Sequence, residues 1–189
     1  MSPKRPSRVL WWVLGAALVV AWVVMAGRMA PRGAGDLPKP TLQGFGEAAY
    51  AWSLRDENGK PVDFGGYRGK VVFLNVWATW CGPCREELPA IANLARNPRL
   101  KGVAFLCVAG DEPAAVRRFR AGPGKGMPMT FLVADGLPAP FATDAIPATF
   151  VITHDGRIVV AQVGAAQWDD PDVVDRLAKL LERKESNRR

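Results

Sequence analysis

The sequence predicts an α/β domain, a mixed sheet with helices on both faces, carried behind a single N-terminal membrane-spanning helix. Three observations lead there. A charge-free apolar run lies near the N-terminus, β-branched runs alternate with stretches of helical apolar spacing, and a hairpin signature sits near the end. At 189 residues the chain has room for one domain plus attachments. Its 49% apolar content supplies a core and excludes a mostly disordered chain, and three cysteines are too few for a disulfide-stapled mini-protein.

The first element is the run from Val9 to Gly27, bounded by Arg8 and Arg28 and free of charge throughout. As a helix it spans roughly 28 Å, close to the hydrocarbon thickness of a bilayer. Trp11 and Trp12 lie near one end, where amphipathic rings favour the membrane interface. The run shows no polar stripe or caps of the kind a buried soluble helix carries. Two readings compete. A retained anchor over residues 9–27 is favoured because the run exceeds the signal-peptide core of about 7–15 residues. A cleaved signal peptide is the alternative, with Val24-Met25-Ala26 offering the small residue that cleavage needs. Either one delivers the remainder across a membrane. Lys4, Arg5 and Arg8 against Arg28 and Arg32 place residues 1–8 in the cytoplasm and the body in the periplasm or extracytoplasmic space. Those five are the only charges before Asp36, and they account for most of the net charge of +7. What remains nearly balances, so the body carries no electrostatic footprint for nucleic acid. Residues 28–41, rich in Gly and Pro, read as a flexible tether.

The body, residues 42–182, follows in order. Ala51 to Leu54, a turn at Asp56-Glu57-Asn58-Gly59 and Pro61 to Asp63 read as a strand, a turn and a return strand. Val71 to Trp77 is an almost unbroken β-branched and aromatic run, suited to a central strand covered on both faces. From Pro83 to Arg96, Leu88, Ile91, Ala92 and Ala95 recur at helical spacing. Val103 to Val108 is a second buried strand, and Glu112 to Arg120 a short amphipathic helix. Thr149–Ile152 and Arg157–Ala161 flank His154-Asp155-Gly156 as a hairpin with an Asp-Gly turn. Val173, Leu177, Leu180 and Leu181 mark a closing helix, and residues 183–189 form a polar tail. Cys107 reads as a small core residue, His154 as a turn residue without a role, and Arg117, Arg118 and Arg120 as a solvated helix face.

The chemistry concentrates where the central strand hands over to its helix, at Trp80-Cys81-Gly82-Pro83-Cys84. Positions i and i+3 share a helix face, so the two sulfurs reach bonding distance. Cys81 sits at the helix start, where free backbone N–H groups and the helix dipole favour an anion and lower a thiol pKa from about 8.5. Cys84, one turn in, is the more shielded and suited to resolving a mixed disulfide. Pro83 fits the first turn, which does not use its missing N–H. Zinc binding would want about four ligands, and Cys107 and His154 are the only extras, neither beside the pair in sequence. A purely structural bridge would close too small a loop to remove much chain entropy.

Lys70-Val-Val-Phe-Leu-Asn-Val-Trp-Ala-Thr-Trp-Cys-Gly-Pro-Cys-Arg-Glu-Glu-Leu-Pro89 resembles the active-site stretch of the TlpA/ResA-type membrane-anchored, thioredoxin-like disulfide reductases. Ala145-Ile-Pro-Ala-Thr-Phe-Val-Ile152, followed by Asp155-Gly156-Arg157-Ile158, resembles their second signature. The resemblance covers about residues 42–182 and implies a thioredoxin fold, with Cys81 as the attacking and Cys84 as the resolving thiol. It further implies a cis Ile146–Pro147 bond beside the cysteines, with the Ile146 backbone free to pair with a substrate segment. Ordinary thioredoxins carry a buried aspartate six positions before the first cysteine; here that position is Asn75. The resembled family uses instead a glutamate three residues after the second cysteine, which is Glu87. Such an acid would take the resolving thiol's proton; the competing reading is a solvated helix glutamate like Glu86. Trp80, Gly82 and Pro83 face the substrate in this reading, and Trp77 packs in the core.

The implied activity is reduction of disulfides in partner proteins at a bacterial inner membrane, apocytochrome c being a frequent family substrate and metal-centre assembly another service. No cofactor is called for beyond the Cys81–Cys84 pair, and a membrane thiol donor of the DsbD or CcdA type would restore the dithiol. The Gly-Pro between the cysteines is similar to that of reducing thioredoxins rather than to the Pro-His of strong oxidants. Competing classes are a disulfide oxidase using the same cysteines, a peroxidase of the peroxiredoxin kind, and a copper(I) carrier with Met127 and Met129 as its faint extra ligands.

Overall fold

The computed structural model describes residues 17–22, 37–42, 44 and 46–186. Residues 1–33 and 34–189 divide into two units, each taken by itself. In the first, residues 17–22 are helical and expose Leu18 and Trp22. Residues 1–8, expected in the cytoplasm, and the rest of the apolar run 9–27 lie outside the described residues. Among those described, no helix is long and apolar enough to cross a membrane.

The second unit is built on a seven-stranded mixed sheet. Its strands are β1 (Ser53–Asp56), β2 (Pro61–Asp63), β3 (Val71–Trp77), β4 (Val103–Ala109), β5 (Thr130–Val133), β6 (Ala148–Ile152) and β7 (Ile158–Val163). The helices are α1 (Gly82–Arg96), α2 (Pro113–Ala121) and α3 (Pro171–Ser186). The spatial order is β2-β1-β5-β4-β3-β6-β7, with β3, β4 and β5 parallel and the other pairings antiparallel. Every residue of β3 is buried, as its unbroken apolar run requires of a central strand.

Helices on both faces is the expectation the structure corrects. Leu88 and Ile91 of α1, Val116 and Phe119 of α2, and Val173 and Leu177 of α3 all join one apolar cluster with Phe73 and Trp77. The steps β3→β4→β5 run in the same direction across the sheet, so two right-handed crossovers put α1 and α2 on the same side. On the other face Leu74 and Leu106 are covered by Trp52, Leu54, Phe64 and Phe141, from the N-terminal hairpin region and short 3-10 turns. Trp52 packs 5.4 Å from both Phe64 and Phe141, ring centre to ring centre, and so replaces a helix with an aromatic layer.

Other differences are local. β5 is an element absent from the sequence reading: four residues after a Gly-rich stretch show no period. The closing helix runs on to Ser186, beyond the expected start of the polar tail. At the end of the expected tether, the Pro38 carbonyl accepts from the Gln167 N–H at 2.8 Å and the Thr41 N–H donates to Gln162 at 2.7 Å, so this stretch lies against the domain. Arg120 is not a solvated face residue: its guanidinium sits 5.1 Å over the Phe131 ring, pairs with Glu57 and donates to the Met129 carbonyl. The hairpin turn forms as expected, with Gly156 at φ 88°, a conformation open to glycine and strained for other residues.

Candidate active site

The β3–α1 junction builds the site. β3 ends at Trp77, and Cys81 is the N-cap of α1, in extended conformation with φ −77°. The turn between them is held by Asp111, a residue the sequence reading passed over. The Thr79 N–H and hydroxyl each donate to one of its carboxylate oxygens at 2.9 Å. Asp111 follows the C-terminal end of β4, beside β3 in register, and its carboxylate pins the cysteine loop over the C-terminal ends of these two central strands.

Cys81 and Cys84 are joined as a disulfide. The Cys84 backbone N–H points at Cys81 Sγ, 3.2 Å away, aiming a free N-terminal donor of the helix at the outer sulfur. Cys84 is completely buried, whereas Cys81 retains 5% exposure, so the first cysteine is the one a partner reaches. Gly82 and Pro83 are exposed beside it, and a Cβ built on Gly82 would meet nothing within 4 Å among the described residues. Trp80 is 76% exposed, a large apolar ring presented next to the disulfide, while Trp77 is core.

The second signature arrives from across the sheet. The Ile146–Pro147 bond is cis, and the Ile146 carbonyl oxygen lies 3.9 Å from Cys81 Sγ. Pro147 is buried and Ile146 half-buried. Trp80 and Ile146 also line an apolar pocket of about 270 Å³ with Val76, Val108, Ala134 and Leu137. The sequence-predicted substrate-facing residues Trp80, Gly82, Pro83, Ile146 and Pro147 are thus brought around one sulfur.

Glu87 is fully buried, unlike Glu86, which is exposed on the same helix. Its carboxylate accepts from the Asn75 side-chain amide at 2.8 Å, the Ala166 N–H at 3.1 Å and the Trp168 indole at 2.9 Å. Burial pushes its pKa up to about 7, against the lowering pull of those three donors. Asn75 owes its place to β3, where it pairs with Cys107 on β4 and Thr149 on β6. Ala166 and Trp168 come from the segment after β7, which carried no motif and was missed from sequence; a lone Trp among Gly, Ala and Gln gives no signal of a carboxylate partner.

Cys107 is wholly buried, and burial, with the nearby Glu87 charge, pushes its thiol far above the usual range. Alkylation of the reduced, folded chain at neutral pH should therefore leave Cys107 unlabelled, with its modification appearing by mass spectrometry only after denaturation.

The described domain places an anion-favouring sulfur at a helix start, a shielded partner one turn on, and a buried acid with a near-neutral pKa on the same helix. This arrangement can exchange disulfides through a thiolate and move the accompanying proton. Comparison with known proteins agrees. The Redoxin family model matches residues 34–177. The thiol-disulfide oxidoreductase ResA of Bacillus subtilis is 32% identical over 120 residues, 63% of this chain and 67% of that protein. ResA of Geobacillus thermodenitrificans is 31% identical over 131 residues, 69% and 75% of the two chains. Among solved structures, a secreted Mycobacterium tuberculosis disulfide oxidoreductase homologous to E. coli DsbE superposes with a TM-score of 0.57 at 25% identity, covering 69% of this chain and 96% of that one. MTB DsbF, solved in mixed oxidised and reduced forms, gives 0.57 at 27% identity, covering 68% and 96%. The cis-proline loop, the thioredoxin-like sheet and the reactive pair therefore have one common explanation: this chain belongs to the redoxin family, as a thiol-disulfide oxidoreductase of the ResA type whose redox disulfide is Cys81–Cys84.

Proposed function

We propose that the chain is a reductase of protein disulfides, anchored by residues 9–27 in a bacterial inner membrane with its catalytic domain on the extracytoplasmic side. The carrying observation is the asymmetry of the pair, an outer sulfur faced by a helix N–H and an inner one wholly buried. In the dithiol state the Cys81 thiolate attacks a substrate disulfide. A Cys81–substrate bond forms and the first substrate sulfur leaves as thiolate. Cys84 gives its proton to Glu87 and attacks Cys81 Sγ, closing the Cys81–Cys84 bond and expelling the second substrate sulfur. The substrate gains two electrons and, from Glu87 and solvent, two protons. A membrane thiol donor of the DsbD or CcdA type returns the two electrons to the enzyme. The cycle as proposed needs no metal or prosthetic group. Disulfide-bearing proteins of cytochrome c or metal-centre maturation are the substrates this reading favours.

Direction is tested by equilibrating the full chain with glutathione buffers. A potential on the reducing side, near the thioredoxin value of about −270 mV, is expected, and one near the strong-oxidant end, about −120 mV, rejects the reductase reading. The pocket beside Trp80 is read as the seat of an apolar substrate side chain. Leu137→Glu puts a charge into it and should lower kcat/KM on protein disulfides by about 10–100-fold, the worth of burying one apolar side chain, with small soluble disulfides reduced as before. Equal losses on both substrate kinds would remove the pocket from substrate binding.

A further inference from the structure

The two oxygens of Glu87 are chemically unequal. Oε2 accepts from the Ala166 N–H at 3.1 Å and from the Trp168 indole N–H at 2.9 Å. Both are donors without acceptor capacity, so a proton on Oε2 would face two other hydrogens. Trp168 has no room to yield: its ring is completely buried and stands edge-on to Phe73 with centroids 5.0 Å apart. Oε1 has a different neighbour. It accepts from Asn75 Nδ2 at 2.8 Å, and the same nitrogen lies 3.0 Å from Thr149 Oγ1. A side-chain amide holds a donor and an acceptor on one planar group, and its last torsion is soft and nearly two-fold. Turned over, Asn75 presents Oδ1 where Nδ2 now stands and accepts from a protonated Oε1 and from the Thr149 hydroxyl. In the present orientation Asn75 Oδ1 is buried with no hydrogen-bond partner among the described residues, although buried polar atoms are ordinarily paired. That spare acceptor is what a neutral Glu87 requires.

We infer that Asn75 is the reversible partner of the Glu87 proton: its amide donates to Oε1 of the carboxylate and turns over to accept from Oε1–H of the acid, while Trp168 and the Ala166 N–H keep Oε2 a fixed acceptor. Asn75 and Trp168 are positioning residues in this scheme, acting through Glu87. The inference rests on Glu87 receiving the Cys84 proton. That proton leaves Cys84 Sγ as the thiolate forms and arrives on Oε1; the amide rotation itself moves neither proton nor electron. An aspartate at position 75 would have no hydrogen to donate when ionised and would set a second negative charge against Glu87. The register of β3 between Cys107 and Thr149 keeps the side chain at this crossing, so rotation in place is its only freedom.

The test is nuclear magnetic resonance on the full chain, titrated from about pH 5 to about pH 9 across the Glu87 value of about 7. The Glu87 carboxyl carbon shift reports its protonation. Overhauser contacts of the Asn75 amide hydrogens report which side of the amide faces Thr149. Contacts to Thr149 are expected above the Glu87 midpoint and are expected to vanish below it. Glu87→Gln, whose amide nitrogen imitates the protonated oxygen, should hold Asn75 in the turned orientation at every pH. Trp168→Phe removes a fixed donor from the carboxylate and should raise the Glu87 midpoint by about one pH unit or more, with the Asn75 turnover following it. Asn75 contacts that are the same on both sides of the midpoint and in Glu87→Gln overturn the inference, and a midpoint unmoved in Trp168→Phe overturns the assignment of Oε2. Failure of the underlying reading looks different: Asn75 turns over with Glu87, yet the pH dependence of Cys84 attack is the same in Glu87→Gln as in the native chain.

Discussion

Cys84→Ser should convert a turning-over enzyme into a trap. Serine keeps the volume of the inner position, which is fully buried, and leaves Cys81 at the helix start with its N–H from residue 84. The first half of exchange then proceeds and the second has no nucleophile. An intramolecular thiol in attacking geometry acts at an effective molarity of up to about 10⁵ M or more, which millimolar external thiols cannot match, so turnover should fall by about 1,000-fold or more. Covalent Cys81–partner complexes should accumulate in cells, visible on non-reducing gels and dissolved by reductant. Cys81→Ser should yield none, because the remaining sulfur is shielded from any protein-sized partner. The identity of the trapped chains also decides the service performed: an apocytochrome points to haem attachment, an assembly factor of a copper oxidase to metal-centre work. Complexes formed equally by Cys81→Ser, or none from Cys84→Ser, would remove the assigned order of attack.

How much of this was legible in the sequence depends on whether the signal was local. The Cys81–Cys84 spacing, the burial of Val71–Trp77 and the exposed Trp80 follow from a few neighbouring residues, and each is found in the structure. The cis bond before Pro147 was implied by resemblance alone, and 65 residues separate Ile146 from Cys81. Glu87 was legible as a candidate and ambiguous as a residue: helix periodicity does not say that Glu86 faces water while Glu87 faces Trp168. Asp111 and Trp168 were illegible because their roles come from tertiary approach. Asp111 meets Thr79 only once β3 and β4 lie parallel, and Trp168 meets Glu87 only once the segment after β7 folds back over α1. β5 was missed for a related reason: four residues without a period gain strand character from β4 and β1 on either side.

Glu87→Gln should make the protein more stable above neutral pH and slower near neutrality. The folded-state pKa of Glu87, about 7, lies above its ordinary value of 4.5. Between those values the folded chain holds a proton that the unfolded chain has released, so stability falls as pH rises through the window. Below about pH 4.5 the neutral acid contributes fully; above about pH 7 the folded state carries a buried carboxylate, and the accumulated loss is on the order of 3 kcal/mol. Glutamine is isosteric with the neutral acid and does not titrate. Its oxygen keeps the Ala166 and Trp168 donors, and its nitrogen faces Asn75. Urea unfolding of the oxidised chain should therefore show similar midpoints for native and variant chains near pH 4, and at pH 8 a variant midpoint higher by about 1–2 M. The catalytic consequence has the opposite sign. Without a base for the Cys84 proton, reduction of protein disulfides at pH 7 should drop by about 100-fold, and the deficit should shrink as pH approaches the intrinsic thiol value of about 8.5. A variant less stable than the native chain at pH 8 would mean that the carboxylate is well solvated or ion-paired, which its burial and its three neutral donors contradict. Gained stability with lost rate is the joint outcome expected of a buried acid that takes the Cys84 proton as proposed.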